Sequence, residues 1–116
     1  MAEGKPLMRL AEVADGESRG FKVWFQGGML DGFLVRQGDR VFAYVNSCPH
    51  TGAPLDWNPD QFLDTSGSLV QCAIHGARFV IDSGLCVHGP CAGDRLQRVP
   101  TAIRDGVIWL LPDQPS

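Results

Sequence analysis

The chain contains 116 residues, of which 44% are hydrophobic and 20% charged, as is usual for a folded protein. Its length predicts one domain over residues 1–116, because domains typically contain about 100–150 residues. The net charge of −3 disfavours nucleic acid as a partner. The lack of a signal peptide and of any apolar run near ~20 residues predicts a cytoplasmic protein without a membrane partner.

Short runs rich in Val, Phe, Ile and Trp follow one another along the chain, which predicts an all-β protein. Near residues 9–15 we expect one short helical turn. The predicted strands cover residues 21–25, 33–35, 41–45, 69–72, 79–81, 96–99 and 107–111. Turn dipeptides separate them at residues 27–28, 38–39, 83–84 and 105–106. The last of these, Asp105-Gly106, predicts a hairpin between residues 101–104 and 107–110.

Many short strands with Gly- and Pro-rich turns favour a sandwich or a barrel. Apolar residues that alternate along the predicted strands are the core candidates: Phe21, Val23, Phe25, Val41, Ala43, Val45, Ile108 and Leu110. The first few residues and residues 112–116 are predicted to be frayed tails.

Two short strings carry the chemistry of this chain, a C-x-H motif at residues 48–50 and a C-x-x-H motif at residues 72–75. Each offers one thiolate and one imidazole, so the two strings can hold one small inorganic centre from two sides. The candidate ligands are Cys48, His50, Cys72 and His75. A tetrahedral zinc ion accepts such a set, and so does a [2Fe–2S] cluster in which two histidines replace two cysteines on one iron. Structural zinc fingers usually pair like with like, so one cysteine and one histidine in each loop favour the cluster.

The residues around both motifs resemble the cluster-binding loops of Rieske ferredoxins. The resemblance rests on two sequence segments, C-P-H-T-G-A-P-L at residues 48–55 and H-G-A-R-F at residues 75–79. Gly84 and Gly89-Pro90 fall where that family has a turn and a covering proline loop. The resemblance extends from about residue 10 to residue 111, although the stretch at residues 57–67 is longer than the family pattern.

The resemblance implies small antiparallel sheets, with a cluster-binding lobe at about residues 46–93 inserted into a β base. It also implies that Cys48, His50, Cys72 and His75 hold one [2Fe–2S] cluster per chain. Replacing two of four thiolates by histidines leaves the oxidised cluster formally neutral, which raises its reduction potential.

High-potential members of the family carry hydroxyl side chains after the second histidine, where this chain has Ala77 and Phe79. They also join the two loops by a disulfide, and the matching positions here are Ala53 and Ile74. The resemblance therefore places the chain in the low-potential branch typical of oxygenase ferredoxins. Arg78, which lies between the two positions, is predicted to be an ordinary solvated side chain.

The remaining candidate ligands are Cys86, His88 and Cys91. Three ligands on one short Gly-Pro loop form a poor metal cage, and a disulfide between Cys86 and Cys91 is disfavoured in a reducing cytoplasm. We therefore interpret both cysteines as ordinary thiols and His88 as a surface residue.

The leading hypothesis is an electron-transfer protein, rather than an enzyme, that carries electrons from a reductase to a terminal oxygenase. One alternative is a small iron–sulfur subunit of a larger reductase or oxygenase, including the nitrite-reductase type, although small subunits of that type often lack the ligands. The other alternative is a zinc-stabilised interaction module. The acidic surface could favour a basic redox partner, but an ordinary solvated surface explains the charge equally well.

Overall fold

The computed structural model describes residues 4–25, 27–47, 62–64, 67–72, 77–89 and 93–112. Those residues form ten strands and one short 3₁₀ helix, which confirms the all-β prediction. The strands are β1 Lys5–Arg9, β2 Ser18–Phe25, β3 Gly28–Gln37, β4 Arg40–Val45, β5 Leu69–Gln71, β6 Arg78–Val80, β7 Cys86–His88, β8 Arg98–Val99, β9 Thr101–Arg104 and β10 Val107–Leu110. The helix, Leu10–Glu12, lies within the region where a helical turn is predicted. It is too short to cross a membrane, and no other helix occurs in the described ranges.

The strands form three antiparallel sheets, with orders β1-β10-β9, β2-β3-β4-β8 and β5-β6-β7. In the four-stranded sheet, β8 lies directly beside β4, with Ala43 opposite Val99. The whole β5-β6-β7 sheet is therefore built from the chain segment between two neighbouring strands of the four-stranded sheet. This arrangement agrees with a lobe inserted into a β base.

The four-stranded sheet is buried on both faces. On one face, Phe33 and Tyr44 pack into a core shared with the β5-β6-β7 sheet. On the other face, Leu34 and Ala43 pack into a second core that contains Ile108 of β10. The middle layer consequently fixes both outer sheets, since its side chains alternate between the two cores.

Four of the eight predicted core residues are buried in the second core, namely Phe21, Ala43, Ile108 and Leu110. The other four, Val23, Phe25, Val41 and Val45, are partly buried and pack against that core. The sequence prediction covers only this face. The opposite face of the four-stranded sheet, with Phe33 and Val35 of β3 and Phe42 and Tyr44 of β4, is equally buried.

The hairpin prediction at Asp105-Gly106 is confirmed. Arg104 pairs with Val107 across a two-residue loop, and both loop residues have positive φ, 51° and 74°. Two left-handed residues are what a type I′ turn requires, and the Asp-Gly pair adopts them readily.

Two strands lie where the sequence predicts none. β1 pairs with β10 at the edge of its sheet, where Pro6 removes no hydrogen bond that the sheet needs. β7 has only three residues, and its pairing with β6 holds it in place rather than any strand propensity of its own. The predicted strand at residues 96–99 is shorter, covering Arg98–Val99 alone.

Candidate metal centre

The second motif begins at the mouth of the hairpin formed by β5 and β6. The amide of Cys72 donates a hydrogen bond of 2.8 Å to the carbonyl oxygen of Ala77. Residues 73–76, which include His75, connect these two residues along the chain. Cys72 and Ala77 are 0% and 1% exposed. They lie on the same buried face of the hairpin as the Val70–Phe79 pair. The structure therefore places the Cys72 thiol inside the core, at the entrance to the loop that carries His75.

A second loop reaches the same hairpin mouth. The amide of Cys86 donates to the carbonyl of Asp94 at 2.8 Å, and the amide of Gly93 donates to the carbonyl of Cys86 at 3.1 Å. The chain thus leaves β7 and returns beside it. On the way, Gly89 has a φ of +102°, and a Cβ atom there would lie only 2.9 Å from the Cα atom of Ala77. The Gly89 backbone packs directly against the Ala77 backbone, so position 89 accepts only glycine.

Between β4 and β5 the chain makes its longest excursion, which contains the first motif. The amide of Asn46 donates to the carbonyl of Asp31 at 2.9 Å, one residue before Ser47 ends the described segment. The chain re-enters at Phe62, whose ring stacks on Phe33 with centroids 4.4 Å apart. The carbonyl of Phe62 accepts a 2.9 Å hydrogen bond from Gln71 of β5. The end of this long stretch is thus part of the lobe rather than a free loop.

Tyr44 joins the lobe to the four-stranded sheet. Its hydroxyl donates a 2.6 Å hydrogen bond to the carbonyl of Ile81. Burial raises the pKa of Tyr44, the opposing effect of Arg98 being smaller, so the phenol stays protonated and remains a donor at neutral pH. Gly84, at the predicted Ser83-Gly84 turn, packs against the Tyr44 ring, where a Cβ would lie 2.8 Å from Cε1.

Of the four predicted ligands, Cys72 lies within the described residues, whereas Cys48, His50 and His75 lie outside them. Ala53 and Ile74, the positions matched to the family disulfide, also lie outside. The structure therefore does not test how the four ligands converge, and the ligand set stays a prediction.

The thiols agree with their interpretation as far as the structure describes them. Cys72 and Cys86, the two cysteines in the described ranges, are both thiols. Cys86 is 3% exposed and its Sγ donates to the carbonyl of His88 at 3.4 Å, while the His88 side chain is exposed. No group of three or more His, Cys, Asp or Glu side chains that could hold a metal occurs among the described residues. Cys91 lies outside them.

The described part of the site suits an iron–sulfur cluster. Such clusters are held by cysteine sulfur, and the Cys72 side chain is enclosed in the core beside the loop that carries His75. The contact between Gly89 and Ala77 holds the two loops together at the hairpin mouth without any intervening side chain.

A family model for the Rieske [2Fe-2S] domain matches residues 4–102. The chain belongs to this family. As a Rieske domain it binds one [2Fe–2S] cluster, which excludes the zinc interpretation. The match starts about six residues earlier than the resemblance seen in the sequence, because it includes β1.

Solved structures support the same fold. The ferredoxin of Sphingomonas yanoikuyae B1 is 30% identical, with a TM-score of 0.69 over 97% of this chain and 100% of that chain. The ferredoxin of carbazole 1,9a-dioxygenase from Nocardioides aromaticivorans IC177 is 22% identical, with a TM-score of 0.70 over 94% and 99%. A chain in the complex of reduced oxygenase and oxidised ferredoxin of carbazole 1,9a-dioxygenase is 21% identical, with a TM-score of 0.75 over 97% and 96%. None of the curated proteins matches this chain significantly.

The contact between Gly89 and Ala77 is the feature of the site that the sequence does not reveal. A Gly-Pro dipeptide predicts a turn, and the resemblance implies a covering loop. Neither indicates which backbone atoms the glycine must approach.

Replacing Gly89 by Ala should weaken cluster binding, because the added Cβ would clash with the Ala77 backbone. Gly93→Ala is the matched control, since Gly93 also has a positive φ, +96°, but a Cβ there would have no atom within 4 Å. The clash should cost Gly89→Ala about 1–3 kcal/mol more than the control. Iron per chain, and the temperature at which visible absorption disappears, measure the difference. Equal losses in the two variants would contradict the packing described above.

Introducing Ala77→Ser together with Phe79→Tyr should raise the midpoint potential by on the order of 100 mV. A hydroxyl aimed at sulfur stabilises the reduced cluster more than the oxidised one, by ~1.4 kcal/mol each, and about 59 mV corresponds to that energy for one electron. Both positions lie on the buried face that carries Cys72. Voltammetry of both proteins at one pH measures the shift. A shift below about 20 mV with the cluster intact would mean that neither hydroxyl reaches sulfur.

Proposed function

We propose that this Rieske protein is a one-electron carrier that takes electrons from a reductase and delivers them to an oxygenase. The observation that supports a carrier most directly is the position of Cys72, enclosed at the mouth of a hairpin whose loop contains His75. One proposed ligand, Cys72, is thus held at the end of a buried hairpin in a chain that belongs to the Rieske family.

We assign Cys48, His50, Cys72 and His75 as the cluster ligands. When bound, the cluster supplies reversible one-electron reduction, with the two thiolates on one iron and the two imidazoles on the other. The protein contributes a fixed, dry site, because the Cys72 side chain and the Ala77 side chain beside it are closed off from solvent. A site that barely moves between redox states keeps the reorganisation that accompanies electron transfer small.

The histidine count supports electron transfer rather than bond-making catalysis. The chain has three histidines, and two of them are assigned to the cluster. The third, His88, is exposed on β7. A mononuclear iron site of the two-histidine, one-carboxylate type would need two further histidines, so the oxygenase chemistry belongs to the partner. We place this carrier in the cytoplasm.

The partner assignment is supported by the neighbours of this structure. The Sphingomonas ferredoxin is matched along its full length. The other two neighbours are named as parts of carbazole 1,9a-dioxygenase, one in a complex of oxygenase and ferredoxin. By analogy, a terminal oxygenase is the acceptor that we propose for this chain.

Replacing Cys72 by Ala should abolish the visible absorption and the reversible uptake of one electron per chain, because one of the two thiolate ligands is lost. Cys86→Ala is the matched control, since both thiols are buried in the same core. The control should keep two irons, two sulfides and one electron per chain. Metal analysis and a coulometric titration of the purified proteins measure these quantities.

A Cys72→Ala protein with full red-brown colour would contradict the assignment of that ligand. Loss of iron from Cys86→Ala would instead identify the buried loop thiol as part of the site. A wild-type protein that cannot be reduced and reoxidised reversibly would contradict the carrier function.

A further inference from the structure

Arg78 and His88 lie directly opposite each other on the neighbouring strands β6 and β7, and both side chains are exposed. Each residue adjoins one of the two loops that meet at the hairpin mouth. Arg78 follows Ala77, where the loop carrying His75 ends, and His88 precedes Gly89, which contacts Ala77. This pair of donors therefore borders the loop that carries His75. We expect the electron to leave through the imidazole ligands of the histidine-bound iron, so the pair lies beside the expected exit.

A β-bulge in β7 adds an apolar side chain to the pair. Cys86 pairs with Phe79 and His88 pairs with Arg78, so Val87 is an extra residue on β7. Bulges often occur next to functional sites, where they re-aim a side chain. Here Val87 is 49% exposed. We call Arg78, Val87 and His88 the loop-edge patch.

The guanidinium of Arg78 is exposed and forms no ion pair within the described part of the structure. Some of the other arginines are engaged: Arg36 donates to the carbonyls of Val13 and Gly38, and Arg104 lies over the ring of Trp109. A guanidinium binds carboxylates through two parallel hydrogen bonds, and arginine is enriched in protein interfaces. An unpaired arginine beside an exposed valine and an imidazole N–H fits a carboxylate-bearing protein surface.

We propose that the loop-edge patch docks the electron acceptor, the terminal oxygenase, through carboxylates on the surface of that partner. This inference rests on the proposed carrier function, and it gives Arg78 a role beyond solvating the loop. The net charge of −3 would by itself favour a basic partner. Orientation in a transient complex depends on charges within about one Debye length of the contact, ~10 Å at moderate salt, so the local charge of the patch selects the partner's face.

The test measures the rate at which reduced, cluster-loaded protein is oxidised by small ions of opposite charge. The trianion hexacyanoferrate(III) stands in for an acidic surface and the trication tris(bipyridine)cobalt(III) for a basic one, each accepting one electron. Wild type, Arg78→Glu, Arg78→Lys and Arg104→Glu are compared by stopped flow at about 10 mM and about 100 mM ionic strength, where the Debye length falls from ~30 Å to ~10 Å. Arg104 is the matched control, because β9 belongs to the sheet on the opposite side of the four-stranded sheet from the lobe.

For the trianion, Arg78→Glu should lower the rate constant about tenfold at low salt and less at high salt, since steering of this kind is screened. For the trication the same variant should raise the rate constant. Arg78→Lys should stay within about twofold of wild type for both ions, because it keeps the charge, and so should Arg104→Glu.

Equal effects of Arg78→Glu and Arg104→Glu would overturn the proposal, because net charge alone would then govern the rates. Unchanged rates in Arg78→Glu would also overturn it. The proposal would also be overturned if the rate constant for oxidation of wild type by the trianion rose with salt. Acidic residues would then dominate the surface where the electron leaves. The visible spectrum and midpoint potential of each variant are measured in parallel, so failure of the docking patch is distinguished from failure of the electron carrier.

Discussion

The hydrogen bond from the Cys72 amide to the Ala77 carbonyl determines where the second half of the site begins. It closes a hairpin whose two mouth residues are completely enclosed, and the loop between them carries the histidine of the second motif. A net contribution of about 1 kcal/mol is typical of such a bond. Its larger effect is geometric, because it fixes the positions of Cys72 and Ala77 relative to each other.

The hairpin itself is held by burial against one face of the four-stranded sheet. Phe33 and Tyr44 belong to the sheet, while Val70, Cys72 and Phe79 belong to the lobe, yet all of them share one core. The Tyr44 hydroxyl also donates a buried hydrogen bond to the carbonyl of Ile81. A buried hydroxyl needs such a partner, so this bond allows the phenol to remain inside the core. The lobe therefore cannot tilt without opening the core and breaking this bond. Rigidity of this kind suits a protein that exchanges electrons without rearranging.

The sequence predicts much of this, and the exceptions have physical causes. The C-x-H and C-x-x-H motifs favour the [2Fe–2S] cluster that the family match confirms, because their chemistry depends on residue type and spacing. Asp105-Gly106 specifies its hairpin because the turn needs two left-handed residues. In contrast, the burial of Phe33 and Tyr44 depends on a third layer whose position no local pattern reveals, and β7 forms only because β6 lies beside it. The contact of Gly89 with Ala77 joins residues twelve positions apart. It could not be predicted, because it is made by backbone atoms, which every residue has.

The central claim is that two histidines, one in each loop, bind the [2Fe–2S] cluster of this chain. Pulsed EPR of the dithionite-reduced protein, labelled with ¹⁵N in histidine alone, tests it most directly. The ligand assignment predicts couplings to two histidine nitrogens, retained in a His88→Gln variant, together with an average g value below that of a four-cysteine cluster. A spectrum without histidine couplings, or one that loses a coupling in His88→Gln, would contradict the assignment of His50 and His75.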